Sequence, residues 1–503
     1  MSVSLPDHVQ ALLHAAVFPH DTDDSITLIE THISWVILTG PYAYKLKKPH
    51  NLGFLNFSTL KLRKRFCEME LRLNLRLAPD MYLDVLPIRK HGLAFILGGD
   101  GGEIIDYCVK MRQFDQSALL NEQIQRPDFD PACMDELAAC IAAFHASFPA
   151  SGDSGHAGNP EILLQHILDN LNIGLTLPWP DEQKIIRQLE QMSRQAILDL
   201  SPELRHRQEA GYIRECHGDL HLKNIALIDG RPTVFDCIEF NDDYRIIDVM
   251  SDVAFLFMDC DARQRPELGF RFLSRYLEHC GDFHGLRLLA LYAGYRAGVR
   301  GKVSCLLAQE TGLNASDRQQ QLGDAQDYFK LALGYHSEKT PCLFAIGGLS
   351  GSGKSHLALK GCGPERAIII RSDANRKRLA LDHPDLPLYG RAMTDMTYQA
   401  LFDAAAQVIA AGYSVILDAT FLNMEFRHQV REFTKSIRTP ARFLWLDIQE
   451  NELRQRLAAR QQLGHDISDA DMEVLDMQLM HYNRPTEADM EFLSSSDDWP
   501  TSG

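Results

Sequence analysis

The stretch Leu343-Phe-Ala-Ile-Gly-Gly-Leu-Ser-Gly-Ser-Gly-Lys-Ser355 holds residue types that bind phosphate, at a spacing that lets them act together. Gly348, Gly353, Lys354 and Ser355 fit G-x-x-x-x-G-K-[ST] at every specified position, and Ser350, Gly351 and Ser352 fill the turn between them. Glycines let successive backbone N–H groups turn inward around phosphate oxygens, and the helix that starts near Lys354 adds the positive end of its dipole. The Lys354 ammonium would reach the β- and γ-phosphates of a nucleotide, and the Ser355 hydroxyl would take a place on Mg²⁺. The apolar run 343–346 predicts the buried strand that this turn needs before it.

A second polar set lies in 216–239, Cys-His-Gly-Asp-Leu-His-Leu-Lys-Asn-Ile-Ala-Leu-Ile-Asp-Gly-Arg-Pro-Thr-Val-Phe-Asp-Cys-Ile-Glu. Two short apolar runs, 225–228 and 233–235, flank Asp229-Gly230, a favoured hairpin turn. The hairpin folds Asp219, Asn224 and Asp236 back towards one place. Such a trio suits phosphoryl transfer: one carboxylate orients or deprotonates an acceptor hydroxyl, while an amide and a second carboxylate hold the metal on the phosphates. His217 and His221 read as hydrogen-bonding braces of the loop rather than metal ligands. Asp248 or Asp252, on the helix expected next, either braces the loop from behind or caps the helix.

The elements that must position these groups differ between the two halves. Residues up to about 20 predict a short helix. Strands follow: a hairpin of 35–39 and 42–47 around Gly40-Pro41, then 82–88, 93–97 and 104–111, with a helix over 60–77 between them. Beyond 131 helices take over, at 134–148, 161–171 and 181–200. A small strand-rich lobe and a larger helical lobe make an α+β domain over 1–334, and 335–341 is the expected linker. In 342–493 the strands 367–370, 414–418 and 442–447 alternate with helices, which predicts an α/β domain with a parallel sheet and ligands at the carboxyl ends of its strands. Asp373, Asp418 and Asp447 fall at or just past such ends. Asp418 is placed to support Mg²⁺ or its water shell, and Asp373 to meet an acceptor hydroxyl. Residues 494–503 predict a polar tail that frays.

The run His217-Gly-Asp-Leu-His-Leu-Lys-Asn224 followed by Val234-Phe-Asp236 resembles the catalytic loop and metal-binding motif of aminoglycoside phosphotransferases and related kinase-like enzymes. The resemblance implies a bilobal kinase-like fold, with Asp219 as catalytic base and Asn224 and Asp236 as Mg²⁺ ligands. It also implies that Lys45 contacts ATP phosphates, paired with Glu68 or, by preference, Glu70 on the next helix. One departure stands out: where such folds cover ATP with a glycine-rich loop, this chain has Glu30-Thr-His-Ile-Ser-Trp35. The second half resembles small P-loop kinases of the polynucleotide kinase and zeta-toxin type. In those an Asp-x-x-Arg after the second strand supplies a base and an arginine for the acceptor, and Asp373 and Arg376 match it. Arg454-Gln-Arg-Leu-Ala-Ala-Arg460, then Ser468-Asp-Ala470, looks like the lid that closes over ATP. Arg456 and Arg460 lie four apart, so they share a helix face.

At 503 residues the chain exceeds one ordinary core, and its 45% apolar and 24% charged composition is that of soluble globular protein. No apolar run approaches membrane-spanning length, and residues 1–7 lack the basic start and apolar core of a secretory signal. Eleven cysteines without a C-x-x-C pair argue for reduced thiols and a cytoplasmic protein. A net charge of -17 disfavours long duplex nucleic acid as a partner. The expectation is a bifunctional phosphotransferase, each half moving the γ-phosphoryl group of ATP, with Mg²⁺, onto a hydroxyl of a small molecule or an oligonucleotide end. The alternative is a regulatory protein, in which a degenerate kinase-like domain controls the P-loop module.

Overall fold

The computed structural model describes residues 5–22, 26–53, 55–148, 158–175, 180–310, 312–463 and 472–500. The chain divides into two compact units, each assembled from separate stretches: 1–133, 143–256 and 295–333 in the first, and 134–142, 257–294 and 334–503 in the second.

The first unit opens with helix α1 (Asp7–Ala11) and a 3-10 turn at Ala15–Val17, in place of the single helix expected up to residue 20. Six strands follow, β1 (Thr27–Glu30), β2 (Ser34–Leu38), β3 (Tyr42–Lys47), β4 (Tyr82–His91), β5 (Ala94–Leu97) and β6 (Glu103–Arg112), with helix α2 (Leu60–Asn74) between β3 and β4. They form one antiparallel sheet in the order β1-β2-β3-β6-β4-β5. Side chains alternate across a strand, so β3 shows the sheet two different faces. Tyr44 and Leu46 pack with Trp35, Ile37 and Cys108 in a wholly apolar cluster. Ala43, Lys45 and Lys47 point the other way, where α2 supplies Cys67 and Glu70.

Helices α3 (Leu120–Gln123), α4 (Cys133–Ser147), α5 (Pro160–Leu175) and α6 (Pro180–Glu209) come next. Helix α6 runs through Pro202 beyond the stop expected near 200, and its last turn carries Arg207, whose buried guanidinium is bidentate on Asp248 at 2.7 and 2.8 Å. Strand β7 (Ile213–Glu215) pairs with β10 (Ile246–Asp248), and between them lies the hairpin of β8 (Ile225–Ile228) and β9 (Arg231–Val234). Helices α7 (Val249–Ala262), α8 (Pro266–Cys280), α9 (Leu286–Ala308) and α10 (Ala315–Gly334) complete this part of the chain.

In the second unit β11 (Leu343–Gly348), β12 (Ala367–Arg371), β13 (Ser414–Asp418), β14 (Ala441–Leu446) and β15 (Met490–Leu493) form an all-parallel sheet, ordered β12-β13-β11-β14-β15. Helices α11 (Lys354–Cys362), α12 (Ser372–Asp382), α13 (Arg391–Ala410), α14 (Met424–Ile437), α15 (Glu450–Leu463) and α16 (Met472–His481) connect and flank them. The tail expected to fray is packed as far as Pro500. The Trp499 ring lies on Gly361, where an added Cβ would stand 2.4 Å from it, and its Nε1 donates to Glu365 at 2.8 Å. Only a glycine on α11 leaves room for that ring. Among the described residues no helix is long and apolar enough to cross a membrane.

Candidate active sites

Strand β3 and helix α2 build the first site around an ion-pair array. Lys45 Nζ lies 2.8 Å from Glu70 and 2.5 Å from Asp236, and Lys47 Nζ lies 2.7 Å from the other Glu70 oxygen and in contact with Glu239. Glu68 instead turns out to Lys64. Burial alone would neutralise such groups, yet the two ammoniums draw the Glu70 carboxyl down to about 2, and Asp236 with Glu70 holds Lys45 well above its ordinary value. Three carboxylates share two ammoniums, so burial pushes the Glu239 carboxyl up. Asp236 is the half-open member of the three, at 40% exposure, so water reaches it as it does not reach Glu70 and Glu239. A half-open carboxylate and an amide oxygen lining one cavity are the hard-ligand chemistry that Mg²⁺ takes, so Asp236 and Asn224 fit that ion.

The loop 217–224 is held from three sides. Asp252 accepts from the backbone N–H of His217 at 3.0 Å and of Gly218 at 2.8 Å, and it pairs with His145 at 3.2 Å. Asp248 serves elsewhere, on Arg207 and on the Met250 N–H at the start of α7. His217 bridges to the Phe235 carbonyl at 2.9 Å, and His221 lies 3.3 Å from Asp219. Gly218 has φ +86°, and a Cβ there would stand 2.6 Å from the Tyr244 carbonyl, so no other residue fits. Asn224 donates to the backbone and carboxylate oxygens of Asp219, both at 3.0 Å. Asp236 itself adopts φ +64°, a conformation that costs a non-glycine residue about 1–3 kcal/mol and that recurs at functional sites. Its N–H is held by Tyr82 Oη at 3.2 Å, and the next N–H by Asn74 at 2.9 Å. Burial works against the Asp219 charge, but His221, Arg300 and His217 hold the carboxyl well below the usual range. His145, Cys216 and Asp252 bring ligand atoms within 4.8 Å of one another, yet Asp252 is already committed to the loop and burial pushes the Cys216 thiol well up.

Lys45, Asp219, Asn224, Asp236 and Glu239 all line one cavity of about 910 Å³. Its wall also includes Thr31, His32 and Ser34 from the β1–β2 turn. There Thr31 Oγ1 accepts from the Ser34 N–H at 2.9 Å and donates to the Ser34 carbonyl at 3.1 Å. A hydroxyl-locked turn thus stands where related folds use glycines.

The second site lies at the carboxyl ends of β11, β12 and β13. Gly353 takes φ +95° just before α11, and Lys354 Nζ donates to the Gly348 and Leu349 carbonyls at 3.1 and 3.0 Å. Ser355 Oγ donates to Asp418 at 2.6 Å. Burial pushes the Asp418 carboxyl up, against Lys354 and the Ser355 hydroxyl. A buried carboxylate joined to a hydroxyl at the end of a phosphate loop is a donor set that suits Mg²⁺. Asp373 and Arg376 begin α12, 3.3 Å apart and one turn from each other. The neighbouring Arg371 is spent on Glu278, with Nε at 2.6 Å from it. Asp447 pairs with Arg484 at 2.6 Å.

Arg456 donates to the Ser352 carbonyl at 3.0 Å, and so touches the loop. The Arg460 side chain and Ser468-Asp-Ala470 lie outside the described residues. Sequence reasoning missed two further contacts. Gln478 on α16 accepts from the Ser350 N–H at 2.8 Å and donates to its hydroxyl at 2.9 Å, and Ser496 lies against Gly353. Neither has a local signature, because each reaches the loop across more than a hundred residues of chain.

The model of the phosphotransferase enzyme family matches residues 97–289, and that of an AAA domain matches 343–485. An uncharacterized protein of Mycobacterium tuberculosis is 31% identical over 429 residues, covering 81% of each chain, and one of Mycobacterium bovis matches to the same extent. This chain belongs to their family. The 429 matched residues exceed the length of either compact unit of this chain, so the similarity runs across both. Among solved structures, a choline/ethanolamine kinase family protein from Mesorhizobium loti aligns with a TM-score of 0.38 at 10% identity, over 66% of this chain and 99% of that one. A gluconokinase from Sinorhizobium meliloti 1021 aligns with a TM-score of 0.25 at 19% identity, over 31% of this chain and 84% of that one.

Proposed function

We propose that both modules are ATP-dependent, Mg²⁺-supported kinases acting on hydroxyl acceptors, in a cytoplasmic protein. The observation that carries the reading is the intact array of Lys45, Glu70 and Asp236, of which Lys45 and Asp236 line one cavity with Asp219 and Asn224. A degenerate module would have no reason to keep Glu70 and Glu239 buried in register with two ammoniums, since such groups are costly to bury. In the first site Lys45, fixed by Glu70, holds nucleotide phosphates. Bound Mg²⁺, held by Asp236 and Asn224, would supply charge neutralisation at the phosphates. Asp219 is ionised at every working pH and accepts the acceptor's O–H, so that the oxygen lone pair faces the phosphorus. With so low a proton affinity its main service is orientation, and the proton moves late, as the P–O bond forms.

In the second site the turn from Gly348 to Gly353 cradles phosphates, with Lys354 leaving its two carbonyls to meet them. Ser355 and Asp418 would hold Mg²⁺ there, Arg456 adds charge above the loop, and Asp373 with Arg376 faces the acceptor.

Transfer of labelled γ-phosphate in a mixture of hydroxylated metabolites and oligonucleotides tests the reading, with Asp219→Asn and Lys354→Ala made singly. Each change should remove one set of products and spare the other. Loss of every product with Lys354→Ala, none with Asp219→Asn, would leave the first module a binding domain only.

A further inference from the structure

Resting on the kinase reading of the first module, we infer that its acceptor carries an anionic group, a phosphate or carboxylate, received by Arg296, Arg300 and Lys302 on the α9 wall of the cavity. All three line the cavity, as does Asp219. Arg296 and Arg300 lie one helical turn apart and so share a face. Arg296 is only 3% exposed, and it is fixed on two sides: Nη1 donates to the Gly218 carbonyl at 3.0 Å and Nε to the Ser251 carbonyl at 3.1 Å. Among the described residues its Nη2 is buried with no hydrogen-bond partner. A guanidinium nitrogen left this way forfeits about 1–3 kcal/mol, and more for a charged group, unless something that lines up with it restores the bond. The Gly218 contact also locates it, since Asp219 is the next residue.

The surroundings favour an anion over a cation. Lys302 Nζ is steered by Asn170, 3.3 Å away, and burial lowers the Lys302 ammonium's pKa, a cost that a bound anion would reverse. Among the described residues of α5 and α9 that line the cavity, Asp169 is the acid set against these three cations. The remaining cavity carboxylates belong to the transfer chemistry or to Lys47. A polyamine or quaternary ammonium acceptor would thus meet like charge beside Asp219, whereas a sugar phosphate, glycerol phosphate or hydroxy acid would meet its complement.

The test uses the full chain with Lys354→Ala silencing the P-loop site, and compares matched acceptors: glycerol 3-phosphate with glycerol, gluconate with glucose, and choline with ethanolamine as the cationic arm. Transfer should favour the anionic member of a pair. Lys302→Gln should raise the KM of that acceptor roughly tenfold or more, the size of one charge-assisted hydrogen bond, while kcat and the KM for ATP stay close to wild type. Preference for the neutral or cationic members overturns the inference and leaves the kinase reading standing. Absence of both nucleotide binding and transfer sinks the kinase reading itself. Should nucleotide bind but none of these acceptors react, the melting temperature of the Mg²⁺-AMP-PNP complex decides. Added inorganic phosphate should raise it in wild type and not in Lys302→Gln. An equal shift in both, or none in wild type, overturns the anion subsite.

Discussion

Lys47 shows how much one side chain of the array has to do. It is 1% exposed, and it is the ammonium that offsets Glu239. Removing one partner of a buried pair costs about 3–5 kcal/mol, because the other is left charged or must take a proton. The Glu239 carboxyl is already raised by burial, above its ordinary 4.5, and loss of Lys47 would raise it further. A carboxyl raised in the folded state contributes stability below its unfolded pKa and loses it as pH climbs through the folded value. Glu70 also loses a partner, so Lys47→Met should melt below wild type already near pH 4 and fall progressively further behind as pH rises towards 8. Adding Glu239→Gln should lessen that pH dependence and leave the part that belongs to Glu70. Thermal melts of the two variants across this range check the sign, and a deficit that shrinks with rising pH would contradict it.

At the scale of elements, the loop 217–224 is an irregular segment fastened to α7 through Asp252, whose two oxygens take the successive N–H groups of His217 and Gly218. Asp252→Asn keeps the shape but offers an N–H where an acceptor is needed. It should lower kcat of the first site by roughly 10²-fold, the effect of about 1 Å of misplacement, with little change in the KM for ATP. Equal losses at both sites would mean the variant had unfolded. How much of this was legible follows from chain distance. Asp219, Asn224 and Asp236 share a hairpin and a short loop, and the phosphate loop is one continuous turn, so local spelling exposed both. Lys45 was pointed to by the resemblance to kinase-like enzymes, on a strand that the hairpin spelling predicts. Glu239 was visible as a residue but not as the partner of Lys47, 192 positions away, and Arg296 gave no signal inside a helix that reads as amphipathic. The hydroxyl-locked turn at Thr31 could be read only as missing glycines, because its hydrogen bonds depend on the β1–β2 pairing.

At the scale of the molecule, the compact unit that holds the P-loop sheet is more than the block 342–493 expected after a linker at 335–341. It also takes in 134–142 and 257–294. The reason lies in β12, which is the edge strand of the parallel sheet. An open edge presents unpaired backbone groups and invites aggregation. Helix α8 covers it: Ser274 Oγ accepts from the Ile369 N–H at 3.0 Å, and Glu278 takes the Arg371 guanidinium. Asp261, at the end of α7, is bidentate on Arg366 at 3.1 and 2.6 Å and also accepts from Tyr335 at 2.8 Å. A fragment 342–503 would lose all of these partners and leave the β12 edge and two arginines uncovered. It should express as aggregate, or melt well below the same module in the full chain, even though it holds every residue of the phosphate loop. Glu278→Gln in the full chain isolates one part of the effect. Breaking this buried pair should destabilise the P-loop unit by about 3–5 kcal/mol, read as a lower melting transition that AMP-PNP partly restores. A soluble 342–503 fragment with the full chain's melting temperature and nucleotide affinity would show that α8 merely rests against the sheet.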